Sequence, residues 1–513
     1  MGIMLDTGIA SSPKATFVAI FTALSLLFIS CSGDSAAQSS TATSQGSNVK
    51  ASTPTTIDNN NSNEASSTST VMPTATTEAT ATTKATATTE ATATTEATAT
   101  TTAATPTPTA IPFPLNRPYE LVFTTNEDFE RFPSEQTTYF AEILGTNFEQ
   151  APFKSGVSAA VFDGTKLWSG SLGVAKPNRD MTTNTPMIIR STSKTFLGAL
   201  IMMQIEDGLY QLQDTIATLL SDHPDYASID IPNVNTDVTV EQLLTMTSGM
   251  DDWSEQSDFQ SRLAIMMDRD WKPANNLSKI PTKFVDPGMY HYSYTNSILL
   301  GMIAAHKGDK HLNDIYQEVF FEPLGITGGL LPEIEMPVGT AVPYDDLSLY
   351  QAGVGFGPLN TGLMAQTYGK STMISWAGAG IVSTPENIAR WGYELFSPSG
   401  SAISSTTRQK LIAAMQIPTD PGMASLGMRK YGYYMGSGAV ALRGGTEITV
   451  YTHPGGGGGR TSWLYYSPEL DLSISLLANS QMLHEPGRCG HRGYDYMSVG
   501  ECIAGAIFGS FVD

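Results

Sequence analysis

The sequence predicts a mixed α/β fold of the α+β kind: one antiparallel sheet built from both ends of a globular segment, covered by helices, with a helical region inserted in the middle. Three observations predict it. Early in that segment, Gly156–Phe162 and Lys166–Leu172 are β-rich runs on either side of the turn pair Asp163-Gly164, which reads as a hairpin. Late in the chain, Trp463–Tyr466 and Leu472–Leu477 read as strands joined by a Ser-Pro-Glu turn. Between them Thr195–Asp207 has the length and apolar content of a buried helix, and Gly208 stops it. A further helical spacing of apolar residues runs from Phe132 to Phe148, ahead of the first strand. Strands at both ends with helices between them imply that the chain ends meet in one sheet.

The globular segment is residues 113–513, and two segments of different character precede it. Lys14 followed by the apolar run Phe17–Ile29 reads as a secretory signal, too short for a comfortable membrane span. The run ends Leu27-Phe-Ile-Ser-Cys31, similar to a bacterial lipobox in which the cysteine is lipidated; ordinary cleavage nearby and an uncleaved anchor are the alternatives. All three place the rest of the chain outside the cytoplasm, with membrane contact only through the N-terminal anchor. Residues 32–112 are Ser, Thr, Ala, Asn and Pro, with the repeat Ala-Thr-Ala-Thr-Thr-Glu/Lys carrying Glu78, Lys84, Glu90 and Glu96 in register. Such a stretch has too little apolar surface to offset chain entropy and reads as a disordered tether, with a relaxed span of about 50 Å.

Composition excludes several classes of function. Net charge is -21, which repels nucleic acid and anionic headgroups. With Cys31 assigned to lipidation, Cys489 and Cys502 remain, expected to form a disulfide in an oxidising compartment. No metal-ligand spacing links the cysteines and histidines, so no metal and no cofactor is expected. No Gly-x-Ser-x-Gly elbow occurs, which excludes an ordinary α/β-hydrolase.

The chemistry-bearing motif is Ser191-Thr-Ser-Lys194, at the start of the expected helix. Residues three apart on a helix share a face, so hydroxyl and amine can meet. A serine hydroxyl needs an adjacent base to act as a nucleophile, and a lysine whose pKa is lowered by burial can be that base. Amide groups at the helix N-terminus favour a developing oxyanion. The bare pattern is weak: Ser11 with Lys14 and Ser47 with Lys50 also match it.

Context lifts it. Residues 156–513 resemble the beta-lactamase-related serine hydrolases, the group of class C beta-lactamases, serine D,D-peptidases and their esterase relatives. The resemblance lies in blocks that occur in the family's order: Arg190-Ser-Thr-Ser-Lys-Thr-Phe196, Ile205–Leu209, Val238–Gly249 with its Leu-Leu-Thr-Met-Thr-Ser-Gly, Pro287–Gly301, Phe321–Thr327, Gly380–Thr384, His453-Pro-Gly455 with Gly459, and Leu477-Ala-Asn479. It implies a beta-lactamase/transpeptidase-like fold, a mixed α/β domain plus an all-α domain with the site between them. It also implies Ser191 as nucleophile, Lys194 as its base, and the backbone N–H groups of Ser191 and Gly456 as oxyanion hole. Counting back from Leu299-Leu-Gly301 puts the family's tyrosine on Tyr292, with Tyr290 and Tyr294 nearby. His453 falls on the cationic position of the third motif, and Gly455 lets a substrate lie close.

Two departures follow from that reading. The family's Tyr-x-Asn becomes Tyr292-Ser293-Tyr294, so Tyr294 takes the substrate-contacting place of the asparagine. Pro454 stands where beta-lactamases carry a hydroxyl. Both argue against beta-lactam hydrolysis and leave acylation intact. The expected activity is hydrolysis of small esters or linear amides through an acyl-enzyme. A cell-wall D,D-carboxypeptidase or beta-lactamase is one alternative, and an inactive displayed binding module is another. Specificity would lie in loops such as 252–286 and 330–376.

Overall fold

The computed structural model describes residues 112–125, 127–151, 155–255, 270–280, 287–344, 374–425, 427–442, 445–457, 459–480, 483–484 and 497–512. The signal segment, Cys31, nearly all of the tether, Cys489 and much of the two expected specificity loops lie outside these residues.

The expected hairpin forms because Asp163 folds it. Its Oδ1 accepts from the backbone N–H of Thr165 (3.0 Å) and of Lys166 (2.6 Å), an Asx turn that reverses the chain. Strand β1 (Gly156–Phe162) therefore pairs antiparallel with β2 (Leu167–Lys176), Val161 opposite Trp168 and Phe162 opposite Leu167. The second strand is longer than expected and pairs on with β3 (Arg179–Asp180).

The chain ends do meet. The late strands β12 (Thr461–Ser467) and β13 (Leu472–Ala478) pair with each other, and β13 lies beside β1 with Ala159 opposite Leu476. The main sheet continues through β10 (Glu447–Thr452), β9 (Met435–Ala441), β8 (Lys430–Gly432) and β7 (Ile417–Pro418). Its order is β3-β2-β1-β13-β12-β10-β9-β8-β7, and the short β11 (Gly455–Gly456) pairs with β12. Each of these pairings is antiparallel. A smaller sheet, β4 (Met187–Ile188), β6 (Ile381–Ser383) and β5 (Gly328–Leu330), supports the chain just before Ser191.

Side chains alternate across the main sheet and supply two cores. Ala160, Phe162, Leu464 and Tyr466 face one side, with α2 (Lys194–Glu206), α3 (Tyr294–Gly308) and α4 (Pro385–Phe396). Phe196 of α2 stacks on Trp391 of α4 at 3.8 Å between ring centroids. Val157, Ala159, Val161, Trp463 and Tyr465 face the other side, with α1 (Ser134–Gln150) and α5 (Val499–Gly509). Cys502 in α5 is disulfide-bonded. Among the described residues no helix is long and apolar enough to cross a membrane, and no group of His, Cys, Asp and Glu is arranged to hold a metal.

Candidate active site

Ser191 sits in a 3-10 turn, Arg190–Ser193, that runs directly into α2. The turn is fixed from three sides. Ile189 N–H bonds to the carbonyl of Ile381, and Ile381 N–H bonds to Ser193 Oγ at 3.1 Å. Thr192 Oγ1 donates to the carbonyl of His453 at 2.8 Å, and Ser462 Oγ donates to the carbonyl of Ile189 at 2.5 Å. Arg190, immediately before the serine, has φ +52°, a left-handed conformation that costs a non-glycine residue of order 1–3 kcal/mol and persists where surrounding contacts enforce it.

Three polar groups converge on the serine hydroxyl. Lys194 Nζ, fully buried, lies 3.3 Å from Ser191 Oγ and donates to the carbonyl of Gly378 at 2.9 Å. Burial holds the lysine pKa well below its ordinary value; the Asp252 charge opposes this and the Arg190 charge adds to it. The hydroxyl of Tyr294 lies 2.9 Å from Ser191 Oγ, and its ring stands 3.9 Å from Lys194 Nζ. The ring of Tyr292 stands 4.8 Å from the same amine. The Tyr292 hydroxyl is buried beside Ser191, whose side chain lowers its pKa by hydrogen bonding against the larger effect of burial, although the two make no direct bond of good geometry. Burial, then the neighbouring Tyr294 phenol, raises the Tyr292 pKa well above the ordinary value, so it is a neutral hydroxyl.

This corrects the expectation that set Tyr292 on the nucleophile and Tyr294 on the substrate. The reason is the start of α3. Ser293 is its N-cap and Tyr294 its first residue, so Tyr294 rather than Tyr292 is aimed at the turn before α2. Asp252 fixes that start: its Oδ2 accepts from Tyr294 N–H at 3.0 Å and its Oδ1 from Ser254 N–H at 2.7 Å. Burial raises the Asp252 pKa, against these hydrogen bonds. The asparagine counted as missing is also present, two residues later: Tyr294-Thr295-Asn296 is itself a Tyr-x-Asn. Asn296 is fully buried, accepts from Ser248 Oγ at 2.6 Å and donates to Met246 Sδ at 3.2 Å.

His453 is not the cation expected of it. It is fully buried, and burial together with the Lys194 charge pushes its pKa down to about 3. The neutral ring has a fixed tautomer, with Nδ1–H donating to the carbonyl of Pro454 at 2.9 Å and Nε2 accepting from the Tyr431 hydroxyl at 3.4 Å. Gly455 has a steric reason to be glycine: a Cβ there would lie 2.8 Å from Ser191 N and 2.6 Å from the Ile189 carbonyl. The β11 strand is thus pressed against the Ser191 turn. Gly456 follows on the exposed side, and its carbonyl accepts from Arg190 Nε at 3.2 Å.

The Beta-lactamase family model matches residues 144–491. The chain belongs to the beta-lactamase family of serine hydrolases. Unguisins hydrolase ungD' of Aspergillus campestris is 22% identical over 355 residues, covering 66% of this chain and 61% of that protein's length. Among solved structures, a D-amino acid amidase from Ochrobactrum anthropi SV3 matches 74% of this chain and all of its own, with a TM-score of 0.57 and 21% identity. A D-stereospecific amidohydrolase from Streptomyces sp. matches 67% of this chain and 93% of its own, with a TM-score of 0.50 and 18% identity. At these identities the structural likeness is one of fold, and it fits the beta-lactamase/transpeptidase-like architecture.

Within the beta-lactamase frame, sequence reasoning named Tyr294 in another role, although its own Tyr-x-Asn was readable. It missed Asp252, which carries no motif; only the fold brings Asp252 to α3.

Proposed function

We propose that the chain hydrolyses small esters or linear amides through an acyl-enzyme on Ser191. Lys194, whose pKa burial holds well below its ordinary value, takes the Ser191 proton as the hydroxyl attacks the substrate carbonyl. The backbone N–H groups of Ser191 and Gly456 hold the developing oxyanion. Tyr294 passes the proton to the leaving group, and water then releases the acyl group with the same residues acting in reverse. The observation that carries this reading is the convergence of Lys194 Nζ at 3.3 Å and the Tyr294 hydroxyl at 2.9 Å on one serine oxygen. The amide half of the reading is supported by relatives named as a D-amino acid amidase and a D-stereospecific amidohydrolase.

Pro454 still disfavours beta-lactams, having neither hydroxyl nor N–H. Asn296 does not restore the case for them, because its side chain is buried and already bonded. We also propose that the enzyme works outside the cytoplasm, tethered through Cys31, on the strength of the signal-like segment and the Thr-rich stretch behind it.

A fluorophosphonate probe tests the mechanism. Ser191 alone becomes labelled, and Ser191→Ala loses labelling and turnover of p-nitrophenyl butyrate. Label on Ser193 or Ser293 instead ends the proposal, and turnover strongly favouring nitrocefin ends its substrate half.

A further inference from the structure

One buried acid takes no part in the steps above. Glu333, just after β5, is 1% exposed, and a carboxylate taken out of water costs stability unless it is well bonded. Its Oε2 accepts from Asn313 N–H at 2.7 Å and its Oε1 from Trp376 Nε1–H at 2.9 Å. Burial pushes its pKa up to about 7 against these bonds. Neither donor belongs to the Ser191 turn, so the use of the acid lies in what it holds.

It holds Trp376. That residue opens a 3-10 turn, Trp376–Gly378, with φ +40°, a left-handed conformation in which a bulky residue is strained. Its carbonyl accepts from the N–H groups of Ala379 at 3.0 Å and Gly380 at 2.7 Å, which closes the turn. The Gly378 carbonyl then accepts from Lys194 Nζ at 2.9 Å. The indole ring is seated on three sides. Gly301 of α3 leaves room for it, since a Cβ there would lie 2.7 Å from the ring. Phe113 meets it edge-on at 5.9 Å between ring centroids. Glu333 takes its single N–H. The stretch of chain that carries Phe113 also grips Glu333: Asn116 N–H bonds the Pro332 carbonyl at 2.7 Å, and Arg117 N–H bonds the Glu333 carbonyl at 3.0 Å. The other face of the turn is tight as well, because a Cβ on Gly378 would lie 2.9 Å from Ser297 Oγ and 3.0 Å from Tyr294 Cδ1. A shift in the seat of Trp376 therefore reaches the carbonyl on Lys194 two residues later.

We propose that Glu333 is a positioning residue for Lys194: by anchoring the Trp376 indole it fixes the Trp376–Gly378 turn and so aims the Gly378 carbonyl at the lysine amine. The inference rests on the reading of Lys194 as the base and deepens it. A carboxylate suits the task because it accepts at both oxygens and both of its partners are donors. Glutamine keeps the shape but turns an NH2 group towards one of those donors. The acid works through the lysine and not on the substrate, so its loss should fall on kcat and spare KM.

The test uses the full chain with p-nitrophenyl butyrate at about pH 8, where Glu333 is mostly ionised. Glu333→Gln should lower kcat at least about tenfold and leave KM within about twofold. Trp376→Phe keeps a ring in the slot, leaves Glu333 its bond to Asn313, and should lower kcat to a similar degree. In Lys194→Met protein neither substitution should cost more than about twofold further, because the group they position is gone. An unchanged kcat in either folded variant overturns the proposal. So does a loss carried by KM, or one that persists undiminished in Lys194→Met. If Glu333→Gln does not fold, Trp376→Phe decides alone; if neither folds, the pair serves the fold rather than the lysine and the proposal falls. If the unmutated enzyme does not turn over the ester, the proposed function fails on its own. The positioning is then decided by NMR of isotope-labelled lysine, with the Lys194 signal assigned through Lys194→Met. Its titration midpoint should move to lower pH in both variants, because an ammonium with a poorly aimed acceptor is less favoured, while Asp252, Arg190 and the neutral His453 are unchanged. A midpoint that stays put overturns the proposal.

Discussion

The two sides of the central sheet are built by different rules. The side against α1 and α5 is filled mainly by apolar and aromatic groups: Phe132, Phe140, Trp168, Trp463, Ile474, Ile503 and Phe508 are all buried there, with Asn147, Glu501 and the Tyr465 hydroxyl among the polar exceptions. The side against α2 and α3 has an apolar core of its own, but at its edge it buries Lys194, Asp252, His453 and Arg460. Burying these polar and charged groups costs stability that repacking with hydrophobic residues would recover. One side therefore holds the fold together, and the other spends part of that stability on chemistry. Substitutions on the two sides should separate turnover from stability.

The largest effect on turnover is expected at Lys194. Lys194→Met removes the base and the buried amine together. It should lower kcat/KM for p-nitrophenyl butyrate by about 10²–10⁴-fold and leave the melting temperature equal or higher, because a buried lysine is itself destabilising. A protein that unfolds well below the unmutated chain would break the comparison, since Lys194 would then be holding the fold.

The two tyrosines give the next contrast. Tyr294→Phe removes the hydroxyl 2.9 Å from Ser191 Oγ, and a loss of about 10²-fold in kcat/KM is expected. Tyr292→Phe removes a hydroxyl that has no hydrogen-bond partner, and a loss below about tenfold is expected. The reverse order would return the catalytic phenol to Tyr292.

Asp252→Asn should act on pH dependence. The Asp252 charge favours the lysine ammonium, whereas only the neutral amine accepts the serine proton. Without that charge Lys194 loses its proton at lower pH, so the acid limb of the kcat/KM profile moves to lower pH. The other groups facing the amine do not reverse this sign: Arg190 still pushes the same way, His453 is neutral, and Tyr292 remains a phenol. A limb that stays put, or moves to higher pH, would mean that Asp252 acts only through its hold on the start of α3.

How much of this was legible in the sequence depended on the range of the determining interactions. The β1–β2 hairpin was readable because Asp163-Gly164 makes its turn within four residues. The helix after Ser191 was readable from a local apolar run and Gly208. The closing of the sheet by β13 against β1 followed from strand pattern at both ends. Ser191 and Lys194 are three residues apart, so their meeting is a property of one turn. Tyr294 was misplaced because spacing was counted back from Leu299–Gly301 in the middle of α3, whereas the aim of its first residue is set by Ser293 and Asp252 at the start. The charge of His453 was misjudged because burial, which sets it, is a tertiary property. Glu333 has no motif at all, and its bond to Trp376 exists only once the chain is folded.

The smallest effect on turnover is expected from the far side, and it is the sharpest test of the comparison. Phe140 of α1 is fully buried, edge-on to Phe132 at 5.6 Å and to Trp168 at 5.4 Å. Trp168 lies on β2, and its side chain belongs to the core on the other side of the sheet from α2. Phe140→Ala removes a ring from a packed aromatic cluster, a change that costs about 3–5 kcal/mol where the cavity does not collapse. The melting temperature should fall by several degrees, and by less if Phe132 and Phe511 close over the gap; Phe511 already stacks on Phe140 at 6.1 Å. In the folded fraction nothing within reach of Ser191 changes, so kcat/KM at 25 °C should stay within about twofold, as expected for sites without shared partners. Turnover that falls along with stability would show that the sheet transmits strain from α1 to the Ser191 turn.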